Sequence, residues 1–210
     1  LMESSPRNLY TIFYGKLPNS IEDLLPGRTA KMVTFLNPYY IECLKNRTDL
    51  YSKFDYICSD GFLPIWLNKF FCKQSRSFRI SFDMTSLAKI VFDNIGQHRV
   101  YFIGSKQADM DSFINIISSS YPKMKICGYH HGYIKGQYDD IIIQILKSEP
   151  SVVIIGMGAP MQDEFAVLLN ERGFRGTIYT CGGFFHQTTN NLNYYPNFIN
   201  KFNLRWIYRM

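Results

Sequence analysis

One pattern recurs along the second half of the chain: a short apolar run ends at a glycine, and a segment with helical hydrophobic spacing follows. Val100 to Ile103 ends at Gly104. Met110, Phe113, Ile114 and Ile117 then fall at i, i+3, i+4 and i+7, one face of a helix, which Pro122 closes. Met124 to Cys127 predicts the next strand, ending at Gly128, and Ile141, Ile142, Ile145 and Leu146 predict a helix closing near Pro150. Val152 to Ile155 ends at Gly156; a helix carrying Phe165, Leu168 and Leu169 then leads to a strand over Thr177 to Thr180. Strands this short and continuously apolar, alternating with helices, belong to a parallel sheet covered on both faces. The predicted class is α/β: an open, mostly parallel sheet with helices on both faces, a Rossmann-like core.

The first half carries the same pattern less clearly. Met32 to Leu36 predicts a strand, with Asn37 as N-cap and Pro38 as first residue of a following helix. Phe54 to Cys58 predicts another, and Asp60-Gly61 turns the chain toward Ile65 to Phe71. Thr85 is the expected cap of a helix carrying Leu87, Ile90, Val91 and Ile95. Residues 1–30 show no clear pattern. A chain of 210 residues suits one core over 1–210 with halves of about 1–97 and 98–210. Leu1-Met2 reads as a remnant ahead of a native start, and the stop at Met210 inside a helix-like stretch leads us to expect a missing C-terminal tail.

Composition narrows the partners. A net charge of +6 favours anionic ligands such as nucleotides or phospholipid headgroups. No Lys/Arg block stands out, so nucleic acid is not expected. The five cysteines include no C-x-x-C pair, and Cys58, Cys127 and Cys181 read as buried thiols in a reducing cytoplasm. No apolar run reaches the ~18 residues of a membrane span. Aromatic residues make up 16% of the chain, a surplus that fits an aromatic core, a lipid-facing patch or a subunit interface. A homo-oligomer is left open.

Ligands of open parallel sheets bind beyond the carboxyl ends of the strands. Those ends carry Thr34 to Asn37, Ser59-Asp60-Gly61, Gly104-Ser105-Lys106, Gly128 to Tyr133, Gly156 to Gln162 and Gly182-Gly183. Glycines there either turn the chain or let backbone N–H groups approach a phosphate. Neither G-x-G-x-x-G nor the P-loop pattern follows a strand, which disfavours a nicotinamide enzyme. His130 and His131 are expected on opposite faces of a strand, so they do not form a zinc site. Asp60 is either a turn residue or a general base at the cleft mouth. Asp139-Asp140 reads as solvated helix start.

Several segments in order resemble the WecG/TagA/CpsF family, glycosyltransferase family 26. They are Thr34-Phe35-Leu36-Asn37, Ser59-Asp60-Gly61, Asp83-Met84, Phe102 to Ser105, Gly128-Tyr129-His130-His131-Gly132-Tyr133, Gly156 to Glu164, Gly182 to Phe185, and Leu204 to Arg209. The resemblance implies an inverting, metal-independent transferase without a cofactor. It would move a sugar from a UDP-sugar to a polyprenyl-diphosphate-linked saccharide during surface-polymer synthesis. The enzyme would be cytoplasmic and peripheral on the inner face of the cell membrane. The resemblance further implies Asp60 as base with Thr34 near the chemistry, on a first half serving acceptor and catalysis. Substrate contacts are expected from Asn37, Asp83, Gly104, Ser105, His130, His131, Gly132 and Tyr133. On the nucleotide-sugar side they are expected from Gly156, Gly158, Pro160, Gln162, Glu164, Gly182, Gly183 and His186.

The chain departs from the family pattern at His186, Asn190, Tyr194 and Arg205, which points to a different sugar or acceptor. Two other readings stay open at this point: a non-catalytic nucleotide-binding module of the same fold, and a nicotinamide-dependent oxidoreductase.

Overall fold

The central strands are apolar on both sides, and a strand of that kind is stable only with cover on each face. A computed structural model describes residues 15–36, 47–59 and 80–190 and shows that cover. Its strands are β1 (Lys31–Leu36), β2 (Tyr56–Ser59), β3 (Arg99–Gly104), β4 (Lys125–His130), β5 (Val152–Gly156) and β6 (Thr177–Thr180). They form one sheet in the order β2-β1-β6-β5-β3-β4, with every pairing parallel. The helices are α1 (Thr48–Tyr51), α2 (Leu87–Asp93), α3 (Gln107–Ser120), α4 (Tyr138–Lys147), α5 (Met161–Glu171) and α6 (Phe184–Asn190).

Alternate strand residues feed two separate cores. Tyr101, Ile103, Val153, Ile155 and Ile178 pack with residues of α1, α4 and α5, including Tyr51, Ile145 and Phe165. Val100, Phe102, Val152, Ile154 and Tyr179 pack against α2, α3 and α6. Among the described residues of this second core, Phe102, Phe113, Phe184 and Phe185 meet largely edge-to-face, with centroids 4.8 to 6.1 Å apart, a favoured ring geometry.

Three expectations shift. β2 starts at Tyr56 rather than Phe54, because Asp55 uses both its backbone and its carboxylate on Met32, and Phe54 is buried in the turn before the strand. β4 continues through Gly128 to His130. A Cβ at Gly128 would lie 2.5 Å from the Tyr101 ring, so the neighbouring strand fills the space its side chain would take. Thr85 is not a helix cap: its hydroxyl and N–H both donate to Asp83, at 2.6 and 2.9 Å, and α2 begins two residues later. The helices expected after Asn37 and over 65–71 lie outside the described residues.

From β3 the chain leaves toward β4, and from the adjacent β5 it leaves in the opposite direction, toward β6. That divergence opens a crevice at the carboxyl ends of β3 and β5, the place where open α/β sheets bind ligands.

Candidate active site

Glycines close the floor of this crevice. A Cβ on Gly104 would sit 2.3 Å from the Gly156 carbonyl oxygen, and one on Gly156 would lie 2.8 Å from the Gly182 oxygen. One on Gly132 would lie 2.8 Å from Met157 and 2.9 Å from the Gly104 backbone. These three glycines therefore let the strand-end loops pack on one another. Backbone bonds join the same loops: Ser105 N–H donates to Gly156 O at 3.1 Å, and Gly132 N–H to Ser105 O at 2.9 Å. Above them lies a cavity of about 480 Å³ lined by Ser105, Gly132, Tyr133, Ile134, Lys135, Gly156, Met157 and Met161. The size falls within the usual range for small-molecule sites.

Gln162 does not face this cavity. Its side chain is 1% exposed, and Oε1 accepts the N–H groups of Gly158 (3.2 Å) and Gly182 (3.0 Å). These two bonds form a strap. Gln162 ties the β5–α5 loop to the β6–α6 loop, so its effect on a ligand passes through their backbones. Pro160 follows a cis peptide bond at the start of α5.

Thr34 is likewise not on the surface of the cleft. It is fully buried, donates to Asp163 Oδ1 at 2.7 Å and accepts from the Thr180 hydroxyl at 2.8 Å. Tyr51 donates to Asp163 Oδ2 at 3.2 Å. The group sits beneath the cleft and joins β1, β6, α1 and α5. Burial pushes the Asp163 carboxyl up to about 7, although the hydroxyls of Thr34, Tyr51 and Thr180 favour its ionised form. Asp163 lies within the Gly156 to Glu164 segment, but its burial is invisible in sequence because its partners Thr34 and Tyr51 are 129 and 112 residues away. Asp60 and Asn37 lie outside the described residues; Asp60 directly follows the last residue of β2.

At the rim, Ser105 donates to Asp109 Oδ2 at 2.6 Å and His186 lies 3.3 Å from the same oxygen. The Ser105 hydroxyl and the nearby His186 hold the Asp109 carboxyl below its usual range. Asp109 was also missed, as was the Asp-x-Asp spacing Asp109-Met110-Asp111. On α3 the two carboxylates turn to different partners: Asp111 takes Gln107 at 2.8 Å and Tyr129 at 2.9 Å. Among the described residues no three His, Cys, Asp or Glu side chains gather as metal ligands. His130 and His131 are not on opposite faces as expected. The strand ends at His130, so the chain turns and the rings meet with centroids 4.3 Å apart. Asp83 is buried, accepting from Ser81 and Thr85, and Glu164 pairs with Arg47; neither is among the residues that line the cavity. Gly183 opens the turn into α6.

Residues 9–210 match the glycosyl transferase WecG/TagA/CpsF family. The chain belongs to this family. The transferase is 33% identical over 187 residues to the UDP-Gal:alpha-D-GlcNAc-diphosphoundecaprenol beta-1,4-galactosyltransferase of Shigella boydii, covering 87% of this chain and 78% of that one. It is 25% identical over 186 residues to the N-acetylglucosaminyldiphosphoundecaprenol N-acetyl-beta-D-mannosaminyltransferase of Bacillus subtilis (strain 168), covering 87% and 72%. A protein of the same name from Bacillus spizizenii is 28% identical over 162 residues, covering 76% and 61%. Membership sets the nicotinamide reading aside and makes the chain an enzyme of glycosyl transfer.

Proposed function

We propose that this transferase moves a hexosyl unit from a UDP-sugar to a saccharide carried on undecaprenyl diphosphate, with the donor seated in the crevice between β3 and β5. The observation that carries the proposal is the 480 Å³ cavity at the divergence of these strands. Two relatives from different bacteria act, by name, on GlcNAc-diphosphoundecaprenol, and that acceptor is extended here to this chain.

In this reading the uracil lies toward the loop after β4, where the Tyr133 ring is 69% exposed and offers a stacking face. The diphosphate lies over Gly104 and Gly156. The sugar points along the sheet edge toward β6 and β1. β2 lies three strand spacings from β5, roughly 14 Å at the usual spacing between strands, a span suited to an extended donor sugar meeting an acceptor. Asp60 takes the proton of the acceptor hydroxyl as that oxygen attacks the anomeric carbon; the bond to the UDP oxygen breaks, with inversion and without a metal. A carboxylate is ionised at neutral pH and suits this base role.

No helix among the described residues is long and apolar enough to cross a membrane. A lipid-linked acceptor would instead bring the enzyme to the inner membrane face as a peripheral protein. The test is release of UDP from UDP-hexoses with GlcNAc-diphosphoundecaprenol as acceptor. Wild type should turn over and Asp60→Asn should lose nearly all transfer while still binding UDP. Full transfer by Asp60→Asn removes Asp60 from the base role, and no turnover by wild type with any UDP-hexose contradicts the proposal.

A further inference from the structure

Ile134 to Gln137 form a tight turn on the cavity wall. Gln137 N–H donates to Ile134 O at 2.9 Å, and Gly136 at the third position has φ +83°. A turn closed in this way, with positive φ only at its third residue, follows the type II pattern and favours glycine there. Ile134 is fully buried in the core beneath α4 and anchors the turn. The second position, Lys135, is therefore held at a fixed corner beside the cavity.

Lys135 is the one charged residue of the cavity lining. Its environment differs from that of most other lysines and arginines. Among the described residues, Arg47, Lys53, Lys89 and Arg172 pair with carboxylates, and Lys16, Lys31, Arg99 and Arg175 donate to carbonyl oxygens. Among the described residues Lys135 has no carboxylate within ion-pair distance, and no acidic side chain lines the cavity. The remaining lining consists of one serine, one tyrosine, two glycines and the apolar side chains of Ile134, Met157 and Met161. A diphosphate entering this space brings negative charge that needs a cation or N–H dipoles as it leaves the sugar. An ammonium on a flexible stem can follow a phosphate whose position changes during the reaction.

We infer that Lys135 is the cation that binds the donor diphosphate and stabilises it as the leaving group. This rests on the reading of the cavity as the donor site. Lys135 thus joins the glycine floor as the charged part of the site, a role absent from the sequence motifs.

Calorimetric titration of the full chain with uridine, UMP and UDP tests it, comparing wild type, Lys135→Ala and Lys135→Arg. Lys135→Ala should bind UDP about tenfold or more weakly, the loss expected for a hydrogen bond between charged groups. Its uridine affinity should be unchanged, and Lys135→Arg should keep most of the UDP affinity. The wild-type preference for UDP over uridine should also shrink as salt rises. If wild type binds UDP and Lys135→Ala binds it equally well, the cavity reading stands and the role of Lys135 is overturned. An equal loss of uridine and UDP also overturns it, since the defect would then be one of local structure. If wild type binds no UDP, the cavity reading fails first and takes the role of Lys135 with it.

Discussion

Asp163 shows how one residue organises the floor of the site. Its carboxyl lies among the hydroxyls of Thr34, Tyr51 and Thr180, and burial pushes its pKa up to about 7. An aspartate of the unfolded chain titrates near 3.9. Between these values the folded protein keeps a proton that the unfolded chain has lost. The contribution to stability is therefore fully present below about pH 4 and is lost as the pH rises through about 7. Urea unfolding at pH 5 and pH 8 should show wild type losing stability over that interval and Asp163→Asn losing less. Equal losses would contradict the assignment. The sequence shows the carboxylate but not its burial, because Thr34 and Tyr51 reach it only through the fold. The same limit applies to Thr34, whose burial and bond to Asp163 appear only in the fold.

At the scale of elements, α5 does two jobs with one face. Gln162, Phe165, Ala166 and Leu169 fall at i, i+3, i+4 and i+7 and are all buried. The apolar members hold the helix on the sheet, while Gln162 extends the same stripe to the loops that floor the crevice. Gln162→Ala leaves the Gly158 and Gly182 N–H groups without their acceptor. It should cost about 2 kcal/mol of stability and raise KM for the donor more than it lowers kcat. An unchanged unfolding midpoint would show that the strap carries no stability. Elements with strong periodicity, β3 through β6 with α3, α4 and α5, were legible because local pattern and buried face agree. β4 was cut short at Gly128, since a glycine reads as a turn until the Tyr101 ring is seen filling its place.

For the whole molecule, the parallel α/β class followed from short apolar strands, but strand order did not. β6 comes last in sequence among the strands, yet lies between β1 and β5, and no local pattern reports such an insertion. Strand order determines where β3 and β5 diverge, and hence where the cavity and Lys135 are brought together. Family motifs include the loops that line the cavity, without showing which residues face it and which lie behind it. Hydrogen exchange of the full chain with and without UDP tests this arrangement most directly. A donor seated there should slow exchange in the loops over 104–106, 132–137 and 156–161. Unchanged exchange in all three under saturating UDP, with protection elsewhere, would contradict a donor site at the β3–β5 crevice.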